Sequence, residues 1–123
     1  MLSMRTRLIS VGLLMTASTL ACAHTSAVST NPKSGSVLEQ SPPNVEITFK
    51  DAVRMTSVVA VQEGKPERKL ESSPQASATN FKIVNPQLGI GRNEIRWIAL
   101  SKDGHVVKGV IELTLKAAAS KAQ

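Results

Sequence analysis

Tyrosine is absent from this 123-residue chain, and its other aromatics are two phenylalanines and one tryptophan. So thin an aromatic supply gives no stacking platform for single-stranded nucleic acid. A single cysteine, Cys22, leaves no partner for an internal disulfide. Three of the four methionines, Met1, Met4 and Met15, fall in the first 23 residues. Met55 alone remains beyond them, which excludes a thioether-rich site for a soft metal ion. Long hydrophobic runs are missing too. The one extended apolar stretch, Leu8 to Leu20, is shorter than the roughly 20 residues a spanning helix needs. Histidine occurs only twice, as His24 and His105.

What is present at the N-terminus reads as an export signal covering residues 1–23. Arg5 and Arg7 form a positive start, Leu8 to Leu20 an apolar core, and Ala21-Cys22-Ala23 a small-x-small cleavage site. This leader predicts an exported, periplasmic protein with no membrane insertion of the mature chain. An alternative stays open at Cys22, because Leu20-Ala21-Cys22 also resembles a lipoprotein junction. Loss of Arg5 and Arg7 lowers the net charge from +6 to +4. The remaining cations are interspersed with acids, as in Lys65-Pro66-Glu67-Arg68-Lys69, which speaks for solubility and against a nucleic-acid partner.

No helical period runs through residues 24–123. Short alternating stretches broken by Pro, Gly, Ser and Asn dominate instead. Val45, Ile47 and Phe49 alternate with polar residues, as do Ile111, Leu113 and Leu115, the pattern of half-buried strands. Ser57–Val61, Asn80–Val84 and Asn93–Leu100 are further strands, and an extended segment from Thr25 to Thr30 precedes the Asn31-Pro32 turn. The expectation is an all-β domain over residues 24–116, an Ig-like antiparallel sandwich with Trp97 between its sheets. Glu63 to Pro74 reads as a polar connection, and residues 117–123 as a small polar tail. Asn93–Leu100 and Gly109–Leu115 should form a hairpin with Ser101–Lys108 as its loop.

Cleavage after Ala23 would make His24 the first mature residue. Its α-amine and imidazole then close a chelate ring from one position. Cu(II) favours tetragonal sets of nitrogen and oxygen donors. His105 would add a second imidazole, and Asp103, two residues earlier, lies on the same side of an extended loop. The Asp103 carboxylate would supply an oxygen ligand or orient a bound water. Three nitrogens and one oxygen, without sulfur, select the oxidised ion. Taken singly, Asp103-Gly104 is a turn signal and His105 a loop histidine; the combination carries the reading. Metal must displace protons from both kinds of nitrogen, so affinity should fall as pH drops. Lipidation at Cys22 would remove the amine from this set.

The mature chain resembles the CopC family of periplasmic copper-resistance proteins along nearly its whole length. The matching pieces are Ala23-His24, Ser29-Thr30-Asn31-Pro32 with Gly35-Ser36, and Val45-Glu46-Ile47-Thr48-Phe49. The last is Trp97-Ile98-Ala99-Leu100-Ser101-Lys102-Asp103-Gly104-His105 followed by Gly109. The resemblance implies a Greek-key sandwich of about seven strands binding one Cu(II) per chain, with His24, Asp103 and His105 as ligands. It also implies copper homeostasis or resistance, and hand-over to a CopD-like inner-membrane copper transporter. A family acidic residue near the metal corresponds to Asp51; a solvated strand end is the other reading of that residue. The chain departs from the family's pattern at Val106, where proline is usual, and in lacking a methionine-rich loop.

Two other classes fit part of the pattern. A histidine-brace copper monooxygenase also starts at a mature histidine, but it keeps open coordination positions and a flat substrate face. Here a carboxylate shields the metal and the three aromatics are expected in the core, so no enzymatic activity is expected. A metal-free interaction sandwich would explain the strands and treat both histidines as incidental.

Overall fold

One strand, β3, organises the chain. The computed structural model describes Ala27 and residues 29–117; the leader, His24 and the end of the tail lie outside the described residues. β3 runs from Asn44 to Gln62, 19 residues in all, where the sequence predicts two separate strands. No glycine or proline interrupts it, so nothing in that stretch forces a break. It changes partners along its length instead. Residues 44–48 pair antiparallel with β6 (Ala78–Val84), and residues 46–48 also pair with β1 (Ser29–Asn31). From Val53 to Gln62 the partner is β7 (Gly91–Ser101), with the short β4 (Arg68–Lys69) on the other side at Val59 and Ala60. The β3 ladder slips between Thr48 and Val53, and again between Met55 and Ser57. Such irregularities bend and twist a strand, and here they carry β3 from one layer of the sandwich into the other.

β7 pairs along nearly its full length with β8 (Val106–Leu115), in register from Gly91↔Leu115 to Leu100↔Val106. β2 (Ser36–Leu38) covers the far end of β8, and β5 (Ser72–Ser73) borders β6. The fold is thus the all-β class expected, with eight strands described. Three local differences matter. β2 lies parallel to β8, so the architecture is mixed; the two strands are far apart in sequence, and no tight turn dictates their direction. The polar connection from Glu63 to Pro74 contributes β4 and β5. The β7–β8 loop is only Lys102–His105, because the strands extend further toward the turn than the apolar alternation reaches. Among the described residues, no helix is long and apolar enough to cross a membrane.

Alternation builds the core from both layers. Val45, Ile47, Phe81, Ile83, Ile95 and Leu113 are fully buried. Phe49 sits at the corner of β3 and meets Phe81 and Trp97 edge to face, with centroids 5.9 and 5.1 Å apart. This T-shaped geometry aligns ring edges with ring faces and adds to simple burial. Gly109, across from Trp97 in the β7–β8 ladder, leaves room for the indole; a Cβ there would collide with it. Asn93 is the one buried polar residue among those described, and it is fully engaged. Its amide donates to the carbonyls of Gly89 (2.8 Å) and Gly91 (3.1 Å), while its oxygen accepts from the Gly89 N–H (3.2 Å). These bonds fasten the loop before β7 to the sheet.

Candidate metal centre

The β7–β8 hairpin projects Asp103 and His105 at its tip. The turn is built by Ser101 and Gly104. The Ser101 N–H donates to the His105 carbonyl (2.9 Å), and the Gly104 N–H donates to the Ser101 carbonyl (3.0 Å). The Ser101 hydroxyl oxygen accepts from the His105 N–H (3.2 Å). Gly104 has a φ of 81°, a left-handed conformation that glycine adopts without a Cβ clash. The Asp-Gly dipeptide therefore closes a tight turn that holds both candidate side chains on four loop residues.

Asp103 and His105 point into solvent, with side chains 75% and 80% exposed. The nearest approach is 3.7 Å, between His105 Nδ1 and Asp103 Oδ2. That is beyond hydrogen-bond distance, and water screens the pair. The imidazole is thus not locked to the carboxylate, and both remain available to a third partner.

Asp51 comes to the same place by a different route. It lies in the irregular corner of β3 between Thr48 and Val53, and Val53 is the register partner of Ser101. The corner and the tip together frame a cleft of about 270 Å³. Asp51, Ala52 and Val53 line one side; Ser101, Lys102, Asp103 and His105 line the other. The structure therefore gathers three of the four candidate residues on one cleft. It does not gather them into a finished ligand set. Among the described residues, no three His, Cys, Asp or Glu side chains lie close enough to hold a metal ion. His24, the fourth candidate, lies outside the described residues.

Two polar residues of the cleft, Ser101 and Lys102, carry no individual role in the sequence reading. Ser101 there only opens the hairpin loop, whereas three hydrogen bonds make it the pin of the turn. A hydroxyl residue at a strand end four positions before a loop histidine was the available signal. Lys102 adds a cation to the rim, and nothing in its sequence context separates it from the other scattered lysines.

A β-sandwich with one imidazole and two carboxylates lining an open cleft at one end defines the class: an all-β domain with nitrogen and oxygen donors at the mouth of the cleft. The particular family follows from comparison. The CopC domain model matches residues 27–116, and the chain belongs to the CopC family. Its members are periplasmic copper-binding resistance proteins and not enzymes, and the chain is a copper-resistance protein. No curated protein is significantly similar to it. Among solved structures, it is similar to CopC from Methylosinus trichosporium OB3b, at 24% identity and a TM-score of 0.65, covering 76% of this chain and 94% of that one. It is also similar to PcoC, a methionine-rich copper resistance protein from Escherichia coli, at 20% identity and a TM-score of 0.55, covering 76% and 100%. A selenomethionine crystal structure of PcoC aligns at 18% identity with the same TM-score of 0.55, covering 74% and 99%. At these identities the likeness is one of fold.

Proposed function

We propose that the exported chain binds one Cu(II) ion at the cleft between the β3 corner and the hairpin tip. His24 contributes its amine and ring, His105 its ring and Asp103 a carboxylate oxygen, with Asp51 beside the ion. The observation that carries this reading is the convergence of Asp51, Asp103 and His105 on one cleft from two distant stretches of chain. A second feature supports it. β1 runs antiparallel to β3, with Ser29 opposite Thr48, three residues before Asp51. His24 precedes Ser29 by five residues, a reach of at most about 18 Å for extended chain. Nitrogen and carboxylate donors without sulfur suit Cu(II) better than Cu(I).

The tip's exposure fits cargo handling. Ligands held in solvent, on a turn that the core does not cover, can take an ion from the compartment and yield it to a partner. The leader sends the chain to the periplasm, where it lowers free Cu(II) and passes copper to a CopD-like inner-membrane transporter. Equilibrium dialysis of the mature protein against Cu(II) at neutral pH tests this. One equivalent should be retained. His105→Ala, and separately a one-residue extension ahead of His24, should each weaken retention by about ten- to a hundredfold or more. Unchanged retention in the extended protein would remove the amine from the ligand set, and no retention by the native protein would end the proposal.

A further inference from the structure

Among the described residues, β8 leaves an open backbone edge next to the cleft. β2 covers only Leu113–Leu115 of that edge. At Glu112 the N–H donates to the Ser34 hydroxyl (2.9 Å), and the carbonyl accepts from the Gly35 N–H (2.7 Å). Among the described residues, no backbone group pairs with Val106–Val110 on the side away from β7. The direction of those backbone groups follows from the ladder. The Ser101 N–H donates to the His105 carbonyl, so that pair is hydrogen-bonded, and antiparallel pairs alternate. Val106, Lys108 and Val110 therefore turn their N–H and C=O groups away from β7, as Glu112 visibly does.

The side chains of those three residues share one sheet face. Val106 is 67% exposed and Val110 48%, with the exposed Lys108 between them. Ile98, across from Lys108, adds apolar surface. The nearest acid on the strand, Glu112, is already paired with Arg92. The edge thus offers an apolar–cation–apolar pattern with a row of unpaired backbone groups, starting one residue after His105.

We propose that this edge receives an extended segment of a partner protein by β-strand addition, with an acidic residue opposite Lys108 and apolar residues opposite Val106 and Val110. Backbone hydrogen bonds supply the attachment and the alternating side chains the choice of partner. A second copy of the chain is a poorer occupant. The antiparallel register that pairs all three outward residues sets Lys108 beside Lys108, and like charges directly opposite are destabilising. A lysine on an open edge discourages self-pairing while leaving an acid-bearing strand welcome.

The test uses ¹⁵N-labelled mature protein and the peptide acetyl-Ser-Val-Thr-Glu-Thr-Val-Ser-amide, with a second peptide carrying Lys in place of Glu. The Glu peptide should shift the amides of Val106, Lys108 and Val110 and slow their hydrogen exchange. The Lys peptide should bind at least about threefold more weakly. Lys108→Glu, a change at an exposed position, should reverse that preference. Equal binding of both peptides, perturbation centred elsewhere, or no slowing of these three exchange rates would overturn the proposal. So would concentration-dependent protection of the same amides without peptide, because a second copy would then be the occupant.

Discussion

The two ends of the β7–β8 hairpin are built on opposite terms. At the Gly91–Leu115 end the chain is buried and overdetermined. Asn93 is held by several hydrogen bonds, Leu113 and Leu115 are buried, and β2 docks beside them, with the Lys116 N–H donating to the Leu38 carbonyl (2.9 Å). At the Ser101–His105 end every loop residue is exposed, and the turn is held by three hydrogen bonds of its own. Both ends belong to one continuous ladder, so the anchored end orients the tip without touching its exposed Asp103 and His105 side chains. Stability and the proposed copper binding should therefore separate along this hairpin.

The largest effect is expected midway, where Trp97 packs against Phe49 and over Gly109. Trp97→Ala should cost about 3–5 kcal/mol in urea unfolding. At the anchored end, Asn93→Ala strands the Gly89 N–H and C=O and should cost about 1–3 kcal/mol. A loss under half a kilocalorie there would show that the anchor is dispensable. Toward the tip, Ser101→Ala removes the acceptor for the His105 N–H, and a cost of about 0.5–1 kcal/mol is expected, with faster exchange of that amide. At the tip itself, His105→Ala should change stability by no more than about 0.5 kcal/mol. If instead it destabilises as much as Asn93→Ala, the contrast between the ends fails.

The sequence showed the anchored end more clearly than the tip. Alternation at Val45–Phe49 and Ile111–Leu115, and the burial of Trp97, could be read directly because a half-buried strand leaves a period of two in the residues themselves. The continuity of β3 could not, since Lys50, Asp51 and Arg54 interrupt the apolar period where the strand bends between layers. The parallel docking of β2 on β8 was equally hidden, because three residues carry too little pattern to set a direction. Asp103 and His105 were recognisable as a pair through the Asp-Gly turn between the strands. That Asp51 shares their cleft is a consequence of the β3 corner, which only the register reveals. In the sequence, Asp51 rested on the family resemblance.

In the proposed site, the hairpin tip is one half of a copper centre that the mature N-terminus completes. The most direct test is native mass spectrometry of the exported protein, with and without one equivalent of Cu(II). The expected spectrum shows a chain beginning at His24 and a single retained copper ion, lost in His105→Ala. A protein that begins elsewhere, or is lipidated at Cys22, and still retains one copper ion would rule out the amine as a ligand, and a chain beginning at His24 that retains none would rule out the site.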